Sequence, residues 1–200
     1  MRLYVTLRSP YARLARILVL EKALEDRVEI IEAKTRTPGS PYYQINPSGR
    51  VPFLLDEAGI GMEDSRLICA YLDSLDGKPR FHDPLRASDW DYLRLECAAR
   101  SLCEGICVWG REMGRPESER SPTVLAHEVA RAKRMADAFE DRMTDPVMLG
   151  TPCMAQLILA VALDMAKRGP GDLTAGRPQL AAWMRAISEL PSMQRTVPPP

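Results

Sequence analysis

Residues 46–52, Asn-Pro-Ser-Gly-Arg-Val-Pro, place two prolines and a glycine directly ahead of an apolar run, Phe53-Leu54-Leu55. Proline fixes its own φ and has no backbone N–H. It also pushes the residue before it out of the helical region. The stretch therefore reads as a rigid loop that delivers the chain into a strand at about Phe53. An X-Pro bond reaches the cis form at a cost of only ~0.5–1 kcal/mol. A cis bond at Val51–Pro52 would turn the Val51 N–H and C=O outward, where an extended peptide could pair with them as a further strand. The alternative is a plain turn into a strand, and the loop alone does not choose between them.

The chain on either side has two characters. Residues 3–7 read as a strand, and Ser9-Pro10 marks a helix start, with Ser at the N-cap and Pro at the first helical position. Tyr11, Leu14, Ala15, Leu18 and Val19 make an apolar stripe, with Arg13, Arg16 and Glu21 off it, and the helix is expected to end near Leu24. Residues 28–32 read as a second strand. Strand, helix and strand within roughly 30 residues predict a parallel pair. Residues 34–44 are polar and irregular. Beyond the loop come a strand over 53–56, a turn at Glu57-Ala58-Gly59 and a short returning strand over 60–62, an antiparallel hairpin. Asp64-Ser65 opens a helix whose buried face is Leu67, Ile68, Tyr71 and Leu72.

Gly77-Lys78-Pro79-Arg80 reads as a linker, after which every pattern is helical. One long helix is expected from Pro84 to near Arg111, with Trp90, Leu93, Cys97, Leu102, Ile106 and Trp109 among its apolar positions. A polar loop over 115–121 precedes a helix from Pro122 to near Met143. A third helix opens at Pro152, and its run over 157–163 is apolar nearly all round, as in the middle of a bundle. A fourth runs from Pro178 to before Pro191, and the tail 196–200 cannot be regular. The chain thus divides into an α/β domain, residues 1–76, and an all-helical domain, residues 84–200.

Charge and composition exclude several classes of function. Lys and Arg total 27 against 27 Asp and Glu, with no basic block, which argues against a nucleic-acid partner. No apolar run approaches the ~20 residues needed to cross a bilayer. The opening Met1-Arg2-Leu3-Tyr4-Val5 reads as a strand rather than a signal peptide, so a cytoplasmic location and no membrane partner are expected. Five cysteines, Cys69, Cys97, Cys103, Cys107 and Cys153, are an odd number without Cys-x-x-Cys. They read as small buried apolar side chains, with Cys97, Cys103 and Cys107 on one side of a helix, and not as a disulfide framework. The two histidines, His82 and His127, are far apart, so no metal site is expected.

The order βαβββα, with a proline loop before its third strand, resembles the thioredoxin-like domain. Ser9-Pro10-Tyr11-Ala12-Arg13 resembles a first strand-to-helix turn, and residues 46–54 resemble an Asn-Pro-x-Gly-x-Val-Pro loop. Residues 63–72, Glu-Asp-Ser-Arg-Leu-Ile-Cys-Ala-Tyr-Leu, resemble an acidic-Ser-x-x-Ile-x-x-Tyr-Leu helix start, and residues 190–198 resemble a bacterial C-terminal ending. Taken in this order from end to end, these motifs resemble the cytosolic-type (bacterial) glutathione S-transferase family. One departure lies in the helical half. Cys153 and Gln156 stand where the family often has a Ser or Thr cap and an Asp three residues on, and Thr151 is expected to cap the helix instead.

The resemblance implies a thioredoxin-like domain followed by an all-helical domain, with glutathione as co-substrate and a homodimer. In that frame the Val51 main chain, beside a cis Pro52, pairs with the cysteinyl unit of glutathione. Asp64 meets the γ-glutamyl ammonium, while Ser65 and the free N–H groups of its helix meet the carboxylate; the alternative is a plain N-cap. Arg50 and Lys34 are expected at the glycine carboxylate, or else are solvated charges. Ser9 is expected to hold the thiolate by a hydrogen bond and the helix dipole, without forming a covalent bond; the alternative is that it only caps the helix. Tyr4 and Tyr11 compete for that role, but Tyr4 lies within a strand and Tyr11 on the apolar stripe. No cysteine stands near this turn, which counts against thiol reductase chemistry. The implied activity is conjugation of glutathione to a small electrophile. A glutathione-dependent isomerase or dehalogenase, or a non-catalytic binding protein of the same fold, are the alternatives. The electrophile is expected between the halves, with Trp109, Arg111 and Met113 near it, unless these serve core or surface packing.

Overall fold

The computed structural model describes residues 1–82 and 89–199. Its contacts form two compact units, one of Met1–His82 joined by the segment from Pro191 onward, the other ending at Leu190. The sequence reading carried the helical half to residue 200. Pro84 and Pro200, where that half was expected to open and close, lie outside the described residues.

The first unit contains β1 (Arg2–Val5), α1 (Pro10–Glu21), β2 (Glu29–Glu32), α2 (Tyr42–Ile45), β3 (Phe53–Leu55), β4 (Gly61–Glu63) and α3 (Ser65–Ser74). The strands form one sheet in the order β2-β1-β3-β4. β1 and β2 are parallel, with Val5 opposite Glu32. β3 runs antiparallel to both neighbours, with Phe53 opposite Tyr4 on β1 and Glu63 on β4. α1 begins where Pro10 supplies a pre-set φ and Ala12 N donates to Ser9 Oγ at 3.2 Å. It packs against α3, burying Leu14, Ile17 and Leu18 with Ile68, Cys69 and Leu72. Each such aliphatic side chain contributes ~1.5–3 kcal/mol when fully buried.

Four features differ from the sequence reading. Leu67, expected on the buried face of α3, is exposed to solvent. Arg13, expected off the apolar stripe, is only 2% exposed. The segment after Pro191 covers it: Arg13 Nη2 donates to Met193 O at 2.9 Å and Nε to Thr196 Oγ1 at 3.2 Å. That segment holds a short helix, α9 (Pro191–Arg195), fastened to α1 by Ser192 donating to Glu21 at 2.6 Å and by an Arg195–Glu25 ion pair at 3.0 Å. The stretch expected to be wholly irregular before the loop contains α2, whose Tyr42 joins Tyr4, Ala33 and Phe53 in a core cluster.

The end of α3 is tied to the chain that follows it. Asp73, fully buried, accepts from the N–H groups of Arg80 (3.0 Å), Phe81 (2.8 Å) and His82 (2.7 Å), and Lys22 Nζ stands 3.3 Å away. Burial alone would raise its carboxyl. The nearby His82 ring and the three N–H donors outweigh that and hold it well below the usual carboxylate range.

The second unit contains α4 (Trp90–Met113), a 3-10 turn (Glu117–Glu119), α5 (Pro122–Glu140), α6 (Pro146–Leu149), α7 (Met154–Arg168) and α8 (Pro178–Ser188). α7 packs against α4 and α8, and α5 against α4 and α8. Its residues 154–163 are all buried, which is why the sequence there has no polar face. Two expectations fail here. α7 starts at Met154, Cys153 occupies the cap position without a side-chain cap bond, and Thr151 does not cap it. Instead Gln156 Nε2 reaches back to Val147 O at 2.8 Å and Thr151 O at 3.2 Å. Cys97 is exposed, unlike the other four cysteines. Six helical positions separate it from Cys103, which puts the two on different sides. No helix among the described residues is long and apolar enough to cross a membrane.

Candidate functional site

Sheet topology gathers most of the candidate residues at one end of the first unit. β1 and β2 run parallel and finish there, so Ser9 follows β1 and Lys34 follows β2 at the same edge. β3 runs the opposite way and starts there, which puts Val51 and Pro52 beside the end of β1. β4 reverses again and ends there, followed by Asp64 and Ser65. Along the edge the order is Lys34, Ser9, Val51-Pro52, Asp64-Ser65, across three strand spacings or roughly 14 Å.

The Val51–Pro52 peptide bond is cis. Among the described residues the Val51 N–H and C=O enter no backbone hydrogen bond, so both remain open to an outside chain. The residues just before Val51 are braced. Asn46 is 3% exposed, and its Nδ2 donates to Arg50 O at 3.1 Å and to Glu63 Oε2 at 2.8 Å. The Tyr42 hydroxyl also donates to Arg50 O, and the Ser48 hydroxyl to Glu63 Oε2. Ser48 N donates to Asn46 Oδ1 at 3.1 Å, and Arg50 N to Ser48 Oγ at 3.1 Å. Burial holds the Tyr42 phenol above its ordinary value against the Asn46 hydrogen bond, which keeps it a donor. Gly49 adopts φ +67, and a Cβ there would stand 2.8 Å from the Tyr43 ring, so glycine is required on both counts.

Asp64 caps α3 from an unusual backbone, φ 80 and ψ 127, and its Oδ1 accepts from Arg66 N at 2.7 Å. Positive φ in a residue with a Cβ costs about 1–3 kcal/mol and persists where the surroundings demand it. Ser65 is 7% exposed, and its hydroxyl has no hydrogen bond among the described residues. The Arg50 and Lys34 side chains are exposed, and neither has an ion-pair or hydrogen-bond partner among the described residues. Ser9 is partly buried, and its Oγ accepts the cap bond from Ala12 N. A hydroxyl accepts twice and donates once, so this bond leaves the Ser9 proton available to a further acceptor.

Tyr4 is 5% exposed, with its ring 5.6 Å from Tyr42 and 6.5 Å from Phe53, a core position. Tyr11 is half-buried in the first turn of α1. The second unit holds the remaining candidates. Trp109 is 8% exposed, and its ring would lie 3.2 Å from a Cβ at Gly171. Arg111 Nε donates to Cys107 O at 2.9 Å, and Met113 is 41% exposed. Trp109 therefore packs in the core of its unit, and Arg111 is engaged by its own helix.

Sequence reasoning passed over Tyr42, Asn46, Ser48 and Glu63 as a brace. Asn46 had a readable signal, because Asn ahead of Pro-Ser commonly accepts from the backbone two residues on. Glu63 had none, since its partners lie 15 and 17 residues back.

Residues 8–75 match the model of the glutathione S-transferase N-terminal domain. The chain is 28% identical, over 100% of its length and 99% of the relative's, to a glutathione S-transferase-like protein of Escherichia coli K12 that is itself uncharacterised. Among solved structures it is similar to a glutathione transferase family member from Pseudomonas fluorescens Pf-5 with bound S-(propanoic acid)-glutathione, at 26% identity, TM-score 0.84 and 100% of both chains. It shares the fold of a glutathione S-transferase from Methylobacillus flagellatus KT with glutathione bound, at 22% identity, TM-score 0.86 and 99% of both chains.

Proposed function

We propose that this chain, whose residues 8–75 match the glutathione S-transferase N-terminal domain, binds glutathione and activates the thiol, as thiolate, for attack on a small electrophile. The observation that carries this is the sheet edge where Lys34, Ser9, Val51-Pro52 and Asp64-Ser65 follow one another, with the Val51 main chain open at its centre. An extended tripeptide fits that order. Its cysteinyl unit pairs with the Val51 N–H and C=O. Its γ-glutamyl carboxylate meets the first N–H groups of α3 and the unpartnered Ser65 hydroxyl, while its ammonium meets Asp64. Its glycine carboxylate meets Arg50 or Lys34.

The thiolate is the nucleophile, and a free thiol of pKa ~8.5 is mostly protonated at neutral pH. Ser9 donates its proton in a hydrogen bond to the sulfur, and the positive end of α1 adds to the field. The thiol proton leaves to solvent. The sulfur lone pair then forms the new C–S bond, and the electrophile's leaving group departs with its electron pair. Ser9 stays unmodified throughout. The reading also carries a homodimer in the cytoplasm, for which sedimentation equilibrium tests the dimer.

Retention on immobilised glutathione, followed by conjugation of a chlorinated dinitrobenzene, tests the proposal. Retention with turnover is expected. Retention without turnover, on a panel of electrophiles and isomerase and dehalogenase substrates, would leave a binding protein. No retention overturns the reading.

A further inference from the structure

We infer that Glu63 is the positioning residue of this site: one carboxylate oxygen, at the end of β4, fixes the peptide-pairing loop and so sets affinity for glutathione. The inference rests on the proposed function for its ligand but on geometry for its mechanism. Glu63 Oε2 accepts two bonds from the loop, from Asn46 Nδ2 at 2.8 Å and from the Ser48 hydroxyl. A charged acceptor makes both stronger than neutral bonds. Those two donors then control Arg50. Asn46 Nδ2 also holds the Arg50 carbonyl at 3.1 Å, and Ser48 Oγ accepts from Arg50 N at 3.1 Å. Both main-chain groups of the residue before Val51 are therefore set by side chains that Glu63 holds.

Glu63 is itself well placed to transmit register. It stands opposite Phe53 in the β3–β4 ladder, so the strand that Val51-Pro52 enters fixes its height along the edge. It is also bonded directly to Asp64, the strained cap of α3. The carboxylate thus spans the two places that would hold the cysteinyl and γ-glutamyl parts of one ligand. If the loop and the start of α3 slid apart, an extended tripeptide could not satisfy both. No atom of Glu63 need touch the ligand for this to matter.

Glu63→Gln keeps the shape but removes the charge: its amide oxygen, in the place of Oε2, still accepts from Asn46 and Ser48, but as a neutral acceptor whose bonds are weaker. In the full chain, the dissociation constant for glutathione is expected to rise at least tenfold by titration calorimetry. The turnover number at saturating glutathione should stay within twofold, and the melting temperature close to that of the wild type. Ser48→Ala should weaken binding less, and the double variant no more than Glu63→Gln alone, because both changes cut one chain of contacts. An affinity within twofold of the wild type overturns the inference, as does a loss that falls wholly on turnover. Amide hydrogen exchange reads the brace without any ligand. Exchange over residues 46–52 should quicken in Glu63→Gln while that of α1 does not. If the wild type fails to bind glutathione, the proposed function falls, and exchange alone decides the brace: faster loop exchange sustains it and unchanged exchange overturns it.

Discussion

Asn46 and Gln156 are each 3% exposed, and each uses a side-chain amide to gather main-chain carbonyls of a proline-bearing loop. Asn46 holds Arg50 O in the first unit, and Gln156 holds Val147 O and Thr151 O in the second. Their surroundings differ. The amide of Asn46 is shared with a carboxylate, Glu63, and the loop it braces ends at Val51 with an open N–H and C=O. Among the described residues the amide of Gln156 meets only neutral groups, the third being Cys153 Sγ at 3.8 Å, and its loop leads into a helix buried all round. One network leaves backbone unpaired at an edge, where a ligand can use it. The other closes on itself. A braced loop is therefore evidence of a site only where the bracing stops short of full satisfaction.

The largest expected effect comes from a third brace that sharpens the role of charge. Asp73 ties the chain after α3 with three N–H bonds. Asp73→Asn should cost on the order of 3 kcal/mol at pH 7 by denaturant unfolding, since bonds to a charged acceptor are worth ~1.5–3 kcal/mol each and the amide keeps part of them. Because the folded carboxyl lies below its unfolded value, the charged form stabilises the fold fully above the unfolded pKa of ~3.9. That stability drains away as pH falls below about 4 toward the folded value. The gap between wild type and Asp73→Asn should narrow over that window, and a constant gap would break the electrostatic account.

Next comes Gln156→Ala, expected to cost about 2 kcal/mol, because it strands two carbonyls and opens a space beside α7. This loss should be flat between pH 5 and pH 8 (among the described residues no carboxylate bonds to Gln156), and glutathione affinity of the folded protein should not move. A large change in affinity would erase the distinction drawn between the two amides. Smaller again is Ser9→Ala. It should slow thiol conjugation at least tenfold, or ~1.4 kcal/mol of barrier, with glutathione affinity nearly intact. An unchanged rate would remove Ser9 from the chemistry and leave it a helix cap.

How much of this was legible follows the same division. Ser9-Pro10, Pro122 and Pro178 each announced a helix start, because capping and proline signals act within one turn. The candidate residues at the sheet edge were legible for a related reason: each sits at the end of a short strand or at the start of a helix, and topology then collects such ends. What the sequence hid was pairing at a distance. Arg13 looks like a surface charge until a segment 180 residues later covers it. α2 and α9, of four and five residues, are too short to show a period. Gln156 read as a departure from the Asp expected three residues after the cap, but its side chain turns backward onto carbonyls.

That last point carries the smallest prediction. α7 begins at Met154 with Cys153 in extended backbone at the cap position, φ −127 and ψ 175, the conformation from which a Ser hydroxyl bonds the N–H two or three residues on. Cys153 makes no such bond, so the first N–H groups of α7 go without a side-chain acceptor from the cap. Cys153→Ser supplies one at nearly equal volume. A cap is worth ~0.5–2 kcal/mol, but Cys153 is 3% exposed, and burying a hydroxyl draws on that gain. A net stabilisation of about 0.5 kcal/mol is expected, read as a small rise in the unfolding midpoint. Should Cys153→Ser destabilise instead, Gln156 Nε2 and the thiol already form the better closure. The second loop would then be as fully satisfied as any in the molecule, and Val51 would stand out the more as backbone left open.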